Sequence, residues 1–133
     1  MKRRSIARLR RLIKLTEHLY EQEARTAKEL VRARDDVTKA AAVTREYLNH
    51  DNLVGSVFPE LVSARAVKLQ RRAGELGEEA EQQIEAVAAA RGRVKGLETK
   101  LGREIAGDEL ERNASALEEA IDQFVRRRFT SLR

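Results

Sequence analysis

A single proline, Pro59, divides the chain, and on each side of it apolar residues recur at alternating intervals of three and four for more than forty positions. A mean spacing of 3.5 residues is the signature of helices that pack along a narrow seam. A sheet protein would instead need glycine, proline and asparagine turns at regular intervals, and strands rich in β-branched and aromatic residues. With five aromatics, one proline and 37% charged residues, this chain has neither. The sequence therefore predicts an all-α protein: a long antiparallel helical hairpin, a coiled coil, with a C-terminal amphipathic helical extension.

The turn chemistry gathers just before the proline, at Asn49, His50, Asp51, Asn52, Gly55 and Ser56. Such residues favour loops, and proline favours the first turn of a helix. Helix 1 is expected over about 3–48, a loop over about 49–58 and helix 2 over about 59–106, all in one domain. On helix 1 the seam runs from Ile6 through Leu9, Ile13, Tyr20, Ala27, Leu30, Val37 and Ala41 to Leu48, with polar layers at Glu23 and Arg34. On helix 2 it runs from Val62 through Ala66, Leu69, Ala73, Leu76, Ala80, Val87, Ala90, Val94 and Leu97 to Leu101, and Ile84 and Ile105 are expected to cover the polar positions Gln83 and Glu104. Laid antiparallel with opposed residue numbers summing to 110, the seams place large residues against small ones, as dense packing requires. Leu30 meets Ala80, Tyr20 meets Ala90 and Ala41 meets Leu69, while Leu9 meets Leu101. Arg34 and Glu23 would lay their stems on the seam and keep their charged ends in water. The paired arms would form a shaft of roughly 65 to 70 Å at 1.5 Å per residue, with no room for a deep pocket.

That register exhausts helix 1 opposite residues near 109. Gly107 can end a helix, and Asp108 with Glu111 forms a capping box for a new one, so a separate C-terminal helix is expected over about 109–129. Its stripe of Leu110, Ala114, Leu117, Ile121 and Phe124 has no partner in the hairpin, leaving three outcomes: folding back, dimerisation or cover by another protein. Charge is also uneven. Residues 1–16 carry seven bases and residues 126–133 four, with no acid in either, which leaves 17–125 at −6 although the whole chain is +5. Glu75, Glu78, Glu79, Glu81 and Glu85 would face Arg25, Lys28, Arg32 and Arg34 and help select the register.

Several function classes are excluded. Without cysteine, disulfides, thiolate metal sites and cysteine nucleophiles are out, and with only His18 and His50 so is a histidine-rich metal centre. No phosphate-binding loop is present, and His50 beside Asp51 reads as turn chemistry, so no enzyme and no cofactor are expected. No apolar run approaches the roughly 20 residues needed to cross a bilayer. The Arg-rich start resembles a transit peptide in composition, but its apolar spacing continues into the next segment, so it is read as helix and the protein as cytoplasmic. A membrane-surface role for Ile6, Leu9, Leu12, Ile13 and Leu19 and a nucleic-acid role for the basic ends are the weaker alternatives, the latter because only Phe124 and Phe129 could stack on bases.

The stretch IARLRRLIKLTEHLYEQEARTAKELVRARDDV and the closing LEEAIDQFVRRRF resemble the FliJ and YscO family, the stalk proteins of flagellar and injectisome type III export. The resemblance covers nearly the whole chain. It implies a fold similar to the central stalk of rotary ATP synthases, a place in the hexameric export ATPase and a link to the export gate, with export chaperones as further partners and membrane association only through partners. The matching ATPase-side residues are Arg3, Arg4, Arg8 and Arg11 on helix 1, with Leu117, Ile121, Phe124 and Arg127 on the tail. On the gate side Tyr47 matches one of two aromatics that the family carries near the end of helix 1, and Val43 stands in the place of the other. A generic helical adaptor or export chaperone, binding a partner helix through its C-terminal stripe, is the alternative.

Overall fold

The computed structural model describes residues 2–49 and 53–131, so the pair His50 and Asp51 lies outside the described residues. Helix α1 spans Lys2–Asn49, α2 spans Leu53–Val57 and α3 spans Pro59–Ser131. No strand occurs among the described residues. The long helices α1 and α3 pack against each other as a helical hairpin, the all-α fold the spacing predicts. Contacts divide the chain into two compact units, one of Met1–Thr16 with Arg93–Arg133 and one of Glu17–Gly92.

In the unit of residues 17–92 the predicted seam is the buried face. Ala27, Ala41, Val62, Ala66, Leu76, Ala80 and Ala90 are buried there, with Ala80 only 1% exposed. Leu30, Val37, Leu69, Ala73 and Val87 are half-buried, whereas Leu48, at the end of the seam, is exposed. Three contacts bracket the predicted register. Arg34 lays its Cδ 3.6 Å from where a Cβ on Gly77 would stand. Gln83 donates to the Glu23 carbonyl at 3.1 Å, and Arg45 donates to Gln70 Oε1. The paired numbers add to 111, 106 and 115, scattered about 110 by the reach of long side chains.

Arg34 behaves as its position predicts: its stem lies on the seam, and its guanidinium turns outward to Asp35 at 2.9 Å. That pair is local, as is Arg72 with Glu75 at 3.2 Å, so these charges pair along a helix rather than across to the opposite arm. An adjacent partner costs less side-chain entropy than one across the seam. Glu23 departs from expectation. Its Oε2 is buried without a hydrogen-bond partner, where a solvated end was predicted, and Gln83 has taken the backbone carbonyl instead. Ile84 was expected to cover the polar position Gln83, but it is 51% exposed. The seam passes through Ala80, Gln83, Val87 and Ala90, and the drift of a 3.6-residue helix against a 3.5-residue repeat leaves Ile84 on the flank. A buried carboxylate oxygen without a donor is destabilising. Glu23→Leu is therefore expected to raise stability by about 1 to 2 kcal/mol, read as a higher midpoint in urea unfolding with unchanged helix content.

The turn corrects the expected loop. Residues 53–57 are helical rather than irregular, and Phe58 N donates to Val54 O at 2.9 Å while Val62 N donates to Phe58 O at 3.1 Å. The break falls at Phe58, just before Pro59, which has no N–H to continue the ladder and is suited to the first position of α3. Gly55 is buried and lacks a positive φ. Its role is close approach: a Cβ there would stand 1.8 Å from the Tyr47 carbonyl oxygen. By contrast, a Cβ at Gly74, Gly92, Gly96 or Gly102 would meet nothing within 4 Å, so helix contact accounts for none of these four.

In the other unit Leu9 and Ile13 are buried, and Ile6, Val94, Leu97, Leu101 and Ile105 are half-buried. Here a second correction is required: α3 runs unbroken through Gly107 and Asp108, so the expected helices over 59–106 and 109–129 are one helix. No glycine among the described residues adopts a positive φ. Asp108, expected to cap a new helix, pairs with Arg112 one turn on at 3.2 Å. An i,i+4 ion pair and a continuous backbone ladder together outweigh the roughly 1 kcal/mol that a helical glycine costs.

Candidate functional site

Helix α1 begins opposite the stretch of α3 near Gly107, and every residue of α3 from 111 to 131 is exposed. The third helix that would have folded back is therefore absent from the hairpin: the stripe runs on along α3, uncovered. Leu110 is 70% exposed, Leu117 62%, Ile121 53% and Phe124 63%. Intervals of seven, four and three residues set them on one face of the helix, and Val125 borders them. Glu118 flanks the stripe, Glu119 and Asp122 lie toward the opposite face of the helix, and Arg126, Arg127 and Arg128 follow its end. Such a surface can lay an apolar ridge into a groove of another helix pair, with positive charge at its C-terminal end.

The basic start of α1 is a separate surface of the same unit. Arg3, Arg4, Arg8 and Arg11 are all exposed. Arg3 and Arg10, one heptad apart, share a shallow groove of about 360 Å³ with Ile6, Ala7, Ile105, Asp108, Glu109 and Arg112. Three guanidinium groups around two carboxylates over an apolar floor make this a junction between the arms. Arg11 turns its Nε to the Ala7 carbonyl at 3.4 Å, leaving Arg4 and Arg8 beside the exposed Leu12 and Leu15. Of the five residues expected on a membrane-surface face, Leu9 and Ile13 are buried in the seam and Ile6 is half-buried, while Leu12 and Leu19 remain exposed. The predicted ATPase-side residues thus form two groups. Arg127 lies about 20 residues along α3 from the level of Arg3, or roughly 30 Å at 1.5 Å per residue.

Tyr47, 41% exposed, belongs to the unit of residues 17–92. It adjoins a second exposed apolar surface, one that a 3.5-residue spacing does not reveal. Leu53, Val57, Phe58 and Leu61 are each more than half exposed, and Val43 and Leu48 are exposed nearby. The signal was present, since five of the nine residues from 53 to 61 are large and apolar, but the polar cluster before them drew the reading toward a solvated loop. Along the shaft of this unit a shallow groove of about 620 Å³ has Ala27, Val31 and Ile84 as its floor and Lys28, Arg32, Asp35, Asp36 and Lys39 at its rim.

Among the described residues no three His, Cys, Asp or Glu side chains gather as a metal site, and no helix is long and apolar enough to cross a membrane. No family model matches the chain, and no curated protein or solved structure is significantly similar to it.

Proposed function

We propose that the protein is a non-enzymatic coiled-coil stalk or adaptor of a type III protein export apparatus, flagellar or injectisome, which engages a hexameric export ATPase and links it to the export gate. The observation that carries this reading is the continuous α3 with its uncovered stripe from Leu110 to Phe124 beyond the paired part of α1. A soluble chain rarely leaves such a stripe open without a partner for it. The resemblance of the opening and closing segments to the FliJ and YscO family supplies the identity of that partner. On this reading the ATPase side is Arg3, Arg4, Arg8 and Arg11 with Leu117, Ile121, Phe124 and Arg127, and the gate side includes Tyr47. The chain then works in the cytoplasm, where export ATPases meet their substrates and chaperones.

The uncovered stripe also supports a generic adaptor or export chaperone, which would hold a single partner helix there and have no use for an ATPase. Purification of the tagged chain from a native extract separates the two. Recovery of a hexameric ATPase together with an export-gate component is the expected result. Recovery of a lone secreted or signalling protein favours the adaptor, and nucleic acid alone sinks both.

A further inference from the structure

The hairpin turn carries an exposed apolar cap beside a basic stripe. Leu53 is 79% exposed, Val57 56%, Phe58 52% and Leu61 68%. Gly55, the buried residue of α2, faces the α1 backbone at Tyr47, so α2 is anchored through one side. Leu61, Arg65 and Lys68 then follow at intervals of four and three, which puts them on one face of α3, and all three are exposed. Between Leu53 and Arg72 four bases, Arg65, Lys68, Arg71 and Arg72, stand against one acid, Glu60; Arg72 is paired with Glu75, which leaves three bases against one acid. Glu60 lies about 100° around the helix from Leu61 and shares a shallow groove with Lys68 and Arg71, so it offsets part of that charge and leaves Arg65 clear.

We propose that this turn docks on the surface of an anionic lipid bilayer, with Leu53, Val57, Phe58 and Leu61 entering the headgroup boundary and Arg65 and Lys68 meeting lipid phosphates. Two features select that occupant. The excess of positive charge opposes a second copy of the same surface and favours an anionic one. The apolar residues sit on a five-residue helix, at the break before Pro59 and on the next helix, and do not form the single ridge that a protein groove accepts. A fluid interface takes apolar side chains in any arrangement, and long basic side chains beside them reach the phosphates while their stems remain in the apolar layer. The inference uses only this turn and stands apart from the stalk reading. It would give the protein a direct membrane contact at the turn, where the family resemblance implied one only through partners.

The chain has no tryptophan, so Phe58→Trp places a single reporter in the cap, Leu61→Trp a second one nearby, and Phe124→Trp a control in the tail. The purified full chain is mixed with vesicles of phosphatidylcholine alone or of phosphatidylcholine with phosphatidylglycerol. With the anionic vesicles, emission from position 58 or 61 should shift to the blue and be quenched by lipids brominated in their acyl chains. Pure phosphatidylcholine should give no shift, and combining Arg65→Gln with Lys68→Gln should weaken binding about thirtyfold. Vesicle binding reported from position 124 alone would assign the affinity to the terminal arginines and overturn the proposal. So would reporters at 58 and 61 that stay silent, or that answer only to an added protein.

Discussion

Gly55→Ala is expected to lower the stability of the hairpin by about 2 to 3 kcal/mol, although alanine is the better helix former. Position 55 is helical with an ordinary φ, so propensity alone would favour alanine by up to about 1 kcal/mol. Opposing it is the backbone of α1. The added carbon would stand 1.8 Å from the Tyr47 oxygen and 2.7 Å from its carbonyl carbon, and neither atom belongs to a side chain that can rotate away. Relief requires α2 to lift from α1, which strains the Phe58-to-Val54 hydrogen bond and the entry into α3 at Pro59. Thermal unfolding followed by circular dichroism decides the sign. Gly92→Ala is the matched control, because nothing lies within 4 Å of its Cβ position, and it should stabilise by about 0.5 to 1 kcal/mol. If both variants are more stable than the parent, the close approach of α2 to Tyr47 is wrong.

The seam was legible in the sequence because it depends on periodicity and side-chain volume, both of which survive without coordinates. The layers around Ala41, Ala66, Leu76, Ala80 and Ala90 were legible for that reason, and so was the point where α1 no longer accompanies α3. What could not be read were local competitions between nearly equal terms. Gly107 with Asp108 carries the signs of a helix stop, yet Asp108 has a second use one turn away at Arg112, and the continuous ladder wins. Gly55 looked like a residue chosen for a turn conformation, whereas the structure requires it for clearance from another segment's carbonyl, which no local pattern encodes. Glu23 follows the same logic, since whether a long side chain escapes a two-helix seam depends on what its neighbours already occupy. For the site, the tail stripe and the exposed arginines were visible as residues left over from the seam. The apolar turn was not, because polar residues at 49–52 and apolar ones at 53–61 imply opposite environments within a few positions.

Replacing Ile121 and Phe124 together by glutamine should leave the hairpin's unfolding midpoint within about 0.5 kcal/mol of the parent, while weakening association with the export ATPase of the proposed stalk function about a hundredfold or more. The first half follows from exposure: the two side chains are 53% and 63% exposed, and glutamine preserves helix propensity. The second follows from the stalk reading, in which the stripe is the anchor and truncation of two central apolar side chains removes most of the affinity. Stimulation of ATPase turnover measures it directly. The same variant separates the other fates of the stripe. Were the tail to cover itself against the hairpin in solution, the unfolding midpoint would fall. Were it the seam of a homodimer, sedimentation would show a dimer that the double variant converts to monomer, with ATPase stimulation lost only in proportion. A double variant that stimulates the ATPase as the parent does would remove the tail from the coupling surface, and the exposed arginines of α1 would then have to carry the contact alone. Charge of that kind is screened within about 10 Å at 0.1 M salt, so the contact would weaken steeply as ionic strength rises, whereas one anchored on Ile121 and Phe124 would persist.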